Sequence, residues 1–250
     1  MQKHGNYKHL NRICAGLIIA LFCFGIFKVY FEDNLEQSAF VEIKGCIIVI
    51  DPGHGASDSG AIGTNTKVKE KTINLAVALK LKALFENAGA TVIMTRDSDE
   101  KIAYNKDSDM YTRRILIRDS NADLVISIHC NRFYGSSAAA GPQVYYCKGS
   151  EKGELAAKYV QTQLNSKLAP AKKRKQTIGD YYILKSGKAP CILVECGFLS
   201  NAREERLLQQ SSYQDKIASA IFAGTRQYFS TRPLQSQAQE PQSISESAQP

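Results

Sequence analysis

Short, unbroken apolar runs that each stop at a chemically active side chain are the strongest constraint on how this chain folds. Residues 46–50, Cys-Ile-Ile-Val-Ile, lead into Asp51-Pro-Gly-His-Gly55; residues 124–129 end at His129; residues 191–195 end at Glu195. A run without polar interruption is the pattern of a strand buried on both faces, which is the condition of a parallel sheet covered by helices. Between the runs lie stretches of helical period. Over residues 70–88, Ile73, Val77, Leu81, Leu84, Phe85 and Ala88 form one stripe, which Gly89 ends. Residues 91–95, 143–147 and 181–184 read as further strands, and residues 111–120, 151–168 and 213–229 as further helices. The alternation predicts a single α/β domain with a mainly parallel sheet and helices on both faces.

The two ends of the chain read differently. Lys3, Lys8 and Arg12 precede an apolar run over residues 13–27, which Val29, Tyr30 and Phe31 extend past Lys28. A basic flank before such a run marks export, with the flank held in the cytoplasm. The lysine stem can snorkel, so residues 1–31 are long enough for a transmembrane helix. No small-x-small cleavage site follows, and Cys23 lacks the preceding small residue of a lipoprotein signal. The expectation is an uncleaved N-terminal transmembrane signal anchor over residues 1–31, with a cleaved signal peptide as the alternative. Residues 32–40 then form a polar stalk, residues 41–230 the exported domain, and residues 231–250, rich in Ser, Gln, Pro and Glu, a disordered tail.

At 44% hydrophobic over 250 residues, the chain can bury one substantial core. Its formal net charge of +8 suits a polyanionic partner such as an anionic membrane face or cell wall, or serves only solubility. No zinc-finger spacing, RNP-like aromatic run or long arginine-rich helix is present, so nucleic acid is not an expected partner. The seven Cys include no C-x-x-C pair, which argues against a disulfide framework and a structural zinc site.

In open α/β sheets, functional groups collect beyond the carboxyl ends of the strands. His54, His129 and Glu195 all fall there, and Glu70 opens the first long helix. Two His and one carboxylate can hold a catalytic zinc and leave a position for water, while a second carboxylate off the metal can act as general base and then acid. Each residue also has a plainer reading: a satisfied core or surface His, or a Glu that only complements a helix N-terminus. Asp51 and Asn131 adjoin these positions and either orient the ligands or only fix turns. The Lys172-Lys-Arg-Lys175 run either meets wall carboxylates or phosphates or is a solvated loop. Cys130 and Cys196 point to the opposite strand face from His129 and Glu195, so they are not counted as ligands.

The strings IVIDPGHGASDSGAIG, EKTINLAVALKLKALFENAGATVIMTRDSD, ADLVISIHCN and ILVECGFLSN, in this order, closely resemble the zinc-dependent amidase-3 family of N-acetylmuramoyl-L-alanine amidases. The likeness covers roughly residues 44–230. It implies zinc ligands at His54, Glu70 and His129, a catalytic glutamate at Glu195, and a twisted sheet of about six strands surrounded by helices. It implies a peptidoglycan substrate, cut between muramic acid and L-alanine. The stretch between Arg96 and Ala122 is too short for the long inserted helix with which some members block their own site. One catalytic domain behind an apolar anchor resembles the germination-specific, CwlD-type subgroup. That likeness implies trimming of spore cortex for muramic-δ-lactam synthesis and an extracytoplasmic site such as the space between forespore membranes; an activating protein partner is a further possibility that the sequence itself does not show. A zinc peptidase acting within the stem peptide and a non-catalytic wall-binding protein of the same fold are the competing readings.

Overall fold

The computed structural model describes residues 43–100 and 106–231; the expected anchor, the stalk and all but the first residue of the tail lie outside them. Among the described residues, no helix is long and apolar enough to cross a membrane. The first apolar run is β1 (Ile47–Pro52). It lies between β2 (Thr91–Met94) and β3 (Leu124–Asn131), parallel to both. On the far side of β3 lies β6 (Cys191–Phe198), again parallel. Next to it, β4 (Gln143–Tyr146) runs antiparallel, and the two-residue β5 (Thr177–Ile178) closes the edge. The order is β2-β1-β3-β6-β4-β5, a six-stranded and mainly parallel sheet as expected.

The missing polar positions in the strands follow from burial on both faces. Ile48, Ile50, Ile126, Ile128, Ile192 and Val194 join the larger core, against α1 (Glu70–Asn87), α3 (Glu151–Leu168) and α5 (Ser211–Ser230). The alternate residues Val49, Val125 and Leu193 face a smaller core, closed by Ile117 of α2 (Lys106–Asp119) and by Ile183 and Leu184. The period of two is intact, but both sets are apolar.

Residues 181–184 are not a strand. Tyr182–Lys185 form a 3-10 turn, and the strand at the sheet edge is Thr177–Ile178 instead. Ile183 and Leu184 are neighbours and both buried, while Tyr181 and Tyr182 are both exposed. A strand sends neighbours to opposite faces, whereas Ile183 and Leu184 both pack into the smaller core; a tight helical turn can place two in a row on one side. The short helix α4 (Ala202–Leu208) was also not expected, being too short to show a stripe. It is started by Asn201, whose side chain accepts from the amides of Arg203 and Glu204.

Helix α4 also fastens the loop that leads into α1. The carboxylate of Glu205, a residue with no exposed surface, accepts from the backbone N–H and side-chain amide of Asn65 and from the N–H and hydroxyl of Thr66. Burial alone would raise its pKa; the Thr66 and Asn65 donors outweigh burial and bring it down to about 2. Because the folded value lies below the ordinary 4.5, this stabilisation is present above about pH 5 and fades as pH falls toward 2. Glu205→Gln is expected to lower stability by about 2–3 kcal/mol at pH 7 and by less at pH 3, which denaturant unfolding at the two pH values measures.

Candidate active site

β1 delivers the chain to a turn that sequence alone could not hold in place. His54 has φ +62°, a region that a non-glycine residue occupies at a cost. Two buried arginines hold the carbonyls around it. Arg96 donates from Nε to the Pro52 carbonyl at 2.9 Å and from Nη2 to that of Gly53 at 3.0 Å. Arg113 donates from Nη1 to the Pro52 carbonyl and from Nη2 to that of His54, both at 2.8 Å. Side-chain size is limited as well. A Cβ on Gly53 would lie 2.1 Å from the His129 ring, and one on Gly60 (φ +63°) 2.6 Å from both Glu70 Oε2 and the His54 ring.

Glu70 is the first residue of α1, but it does not cap that helix. Its Oε2 accepts from the Ala61 amide at 2.8 Å, and its Oε1 from the Cys130 amide at 3.0 Å and the Asn74 side chain at 3.1 Å. The same two oxygens face the imidazoles: His54 Nε2 lies 3.2 Å from Oε2 and His129 Nδ1 lies 3.0 Å from Oε1. Burial would raise the Glu70 pKa, but hydrogen bonds from His129 and His54 hold it well below the usual carboxylate range. Burial likewise opposes charge on His54, yet Glu70 and Asp58 raise its pKa. On the far side of the His54 ring, Nδ1 is 2.9 Å from Asp58 Oδ2.

Ligand atoms of His54, Glu70 and His129 lie within 4.8 Å of one another. The two rings meet edge to face, with centroids 5.0 Å apart. Glu195 lies in the same cavity, with Tyr181 and Tyr182 on its wall. It is 8% exposed, and its Oε2 has no hydrogen-bond partner. Burial pushes its pKa up to about 7, against the pull of His129. Two imidazoles and a carboxylate converging beside an unpartnered buried carboxylate fit a divalent cation, and the N/O donor set fits zinc.

The structure thus brings His54, Glu70, His129 and Glu195 together. Asp51 makes no hydrogen bond to either imidazole; it is buried and accepts from Thr95, Ser127 and Arg113 at 2.7, 2.6 and 2.8 Å, so it acts on the turn through Arg113. Asn131 makes no side-chain hydrogen bond to the cluster; its carbonyl accepts from the Leu199 amide. Cys130 and Cys196 face the larger core. In the basic run, Arg174 donates to the Ala140 carbonyl and lies over the Phe198 ring, while Lys172, Lys173 and Lys175 are exposed. Four contributors were not foreseen: Asp58, Asn74, Arg96 and Arg113. The spacing of Asp58, four residues after His54 in a glycine-rich loop, was the one available signal.

The pattern of the amidase-3 family, N-acetylmuramoyl-L-alanine amidase, matches residues 48–227, most of the chain and every residue of the cluster. The chain belongs to this family. The germination-specific N-acetylmuramoyl-L-alanine amidase of Bacillus subtilis is 37% identical over 226 residues, which are 87% of this chain and 93% of that protein. Among solved structures, the CwlD amidase from Clostridioides difficile, determined in complex with the GerS lipoprotein, is 35% identical with a TM-score of 0.71, covering 75% of this chain and all of that one. An N-acetylmuramoyl-L-alanine amidase from Clostridium difficile 630 is 30% identical with a TM-score of 0.70, covering 76% of this chain and all of that one.

In this amidase Asp58 takes the ring nitrogen of His54 that faces away from the cluster, which fixes the tautomer and directs Nε2 inward. Asp58→Ala is expected to weaken divalent-metal binding by about 10–100-fold, read by titrating the protein against a chromophoric chelator.

Proposed function

We propose that the amidase is a zinc enzyme that hydrolyses the amide bond between N-acetylmuramic acid and L-alanine in spore-cortex peptidoglycan. The observation that carries the reading is the three-donor cluster of His54, Glu70 and His129 with the unpartnered Glu195 carboxylate in the same cavity. Zinc held by those three side chains would polarise the scissile lactyl carbonyl and lower the pKa of a water molecule. Glu195 takes the proton of the attacking water on Oε2 and returns it to the departing L-alanine nitrogen. A carboxyl kept near neutrality by burial is suited to both halves of that task. Asp58 keeps His54 in one tautomer, and Arg113 keeps the turn that carries it in place.

The cortex assignment draws on the likeness to a germination-specific amidase across nearly that protein's full length. Removing the stem peptide leaves the bare muramic acid that muramic-δ-lactam synthesis requires. In the same reading, residues 1–31 anchor the enzyme in a membrane with its catalytic domain outside the cytoplasm. A protein partner assists it, as the solved complex of a related amidase with a lipoprotein suggests.

The purified chain, loaded with zinc, is expected to release intact stem peptides beginning with L-alanine from peptidoglycan, and to stop when a chelator is added; mass spectrometry of the products reads both. Shorter peptides lacking L-alanine would show a peptidase instead. Bound wall with no product, zinc being present, would favour a non-catalytic wall binder. Glu195→Gln should keep its zinc and lose turnover by about 10²–10⁴-fold, whereas His54→Ala should lose the metal itself. Near-normal turnover in the Glu195 variant would remove that residue from its role.

A further inference from the structure

Past His129, β3 runs into an exposed turn at the sheet edge that carries the cluster, and this turn presents two aromatic rings to solvent. Phe133 is 52% and Tyr134 87% exposed. Their backbone is nevertheless fixed. The Phe133 amide donates to Ser200 Oγ at 3.1 Å, and Asn201 Nδ2 donates to the Ser137 carbonyl at 3.0 Å. The Arg132 guanidinium lies 4.9 Å from the centre of the Tyr134 ring and donates to the carbonyl of Ile62, itself 43% exposed. Ile62 directly follows Ala61, whose amide donates to Glu70. The aromatic turn is therefore bonded to the loop segment that supports the centre of the cluster.

Exposed apolar side chains gathered on a rigid backbone beside an active site mark a place where something binds. The proposed reaction limits what that is. The scissile carbonyl hangs from a sugar, so that sugar must lie against the cluster, and its neighbours in the strand must continue over the adjoining surface. Pyranose rings offer apolar C–H faces and hydroxyl and acetamido edges. Flat aromatic faces and a guanidinium with free N–H groups complement both. A peptide rich in carboxylates and amines would ask for ion partners of both signs, and this turn supplies one cation already stacked on Tyr134.

We propose that Ile62, Arg132, Phe133 and Tyr134 form a subsite for the glycan strand flanking the muramic acid whose peptide is cut. The inference rests on the reading that peptidoglycan is the substrate, and it makes the enzyme one that recognises polymer rather than an isolated muramyl peptide.

The test uses the full-length, zinc-loaded protein and the double variant Phe133→Ala/Tyr134→Ala, with Leu79→Ala, an exposed apolar position on α1, as the control. The probe is glycan strands stripped of peptide, with binding followed by calorimetry, which does not depend on turnover. The wild type and Leu79→Ala should bind these strands alike, and the double variant should bind at least about tenfold more weakly. On intact peptidoglycan its KM should rise about tenfold while kcat falls by less than about twofold, the mark of lost ground-state binding. Equal binding by the double variant, or no binding of peptide-free strands by the wild type, overturns the subsite. Failure of the wild type to release stem peptides would instead strike the functional reading and leave the binding comparison standing.

Discussion

The buried ion pair of Asp51 and Arg113 is the interaction on which the working edge of the sheet depends. Asp51, at the carboxyl end of β1, accepts from Thr95 just past β2, from Ser127 in β3 and from Arg113 in α2. One carboxylate thus joins three neighbouring strands and a helix at the edge where the cluster sits. Burial would raise the Asp51 pKa, but Arg113, Ser127 and Thr95 outweigh it and the value is lowered; that of Arg113 is raised despite its own burial. Removing either partner leaves a buried charge alone, a loss of about 3–5 kcal/mol. Arg113 also fixes the His54 carbonyl, so the pair helps to hold a left-handed backbone position that costs about 1–3 kcal/mol.

On that scaffold, two glutamates of the same chemistry are driven in opposite directions. Glu70 is surrounded by donors: the amides of Ala61 and Cys130, the side chain of Asn74 and two imidazoles. It stays ionised and gathers hydrogen-bond donors. Glu195 is equally buried but has no donor at Oε2, so the neutral form gains ground. One carboxylate is held in its charged form and the other is shifted toward its neutral form. This division arises from which amides and rings reach each group, not from the residue type.

How much of this was legible in the sequence follows from the same distinction. His129 and Glu195 stood out because each ends an apolar run, and His54 because it sits in the turn after one; Glu70, opening a helix, read equally as a partner of its N-terminus, and only the family resemblance joined it to the others. The mainly parallel sheet was legible from the same apolar runs. Arg113 was not, because a lone arginine beside Arg114 in a polar helix looks solvated; its burial depends on where α2 packs. Asn74 lies on α1 beside the apolar stripe, and only the fold shows that its amide reaches Glu70 and the Gly53 carbonyl. The segment at 181–184 misled because tyrosines beside Ile and Leu suit a strand, whereas the smaller core needs two adjacent apolar side chains from one turn.

That turn and the register of the sheet together explain the geometry of the site. His129 and Glu195 are partners in the β3–β6 ladder, so both project to the same face, shared with Asp51 and Ser127 and with the α2 side of the sheet. The 3-10 turn closes this face and brings Tyr181 and Tyr182 to the cavity wall. Glu70 comes from a helix on the opposite face and reaches the cluster over the strand ends, where the Cys130 amide meets it. A slip of one residue would turn His129 and Glu195 into the larger core and put Cys130 and Cys196 in their place. The pairing is regular up to the His129–Glu195 row and then shifts: Asn131 pairs with Phe198, so β6 carries one residue more than β3 beyond the site. A bulge bends the strand that contains it. Placed after the His129–Glu195 row, it separates the chains that continue into the aromatic turn and α4 without disturbing the alignment of these two side chains.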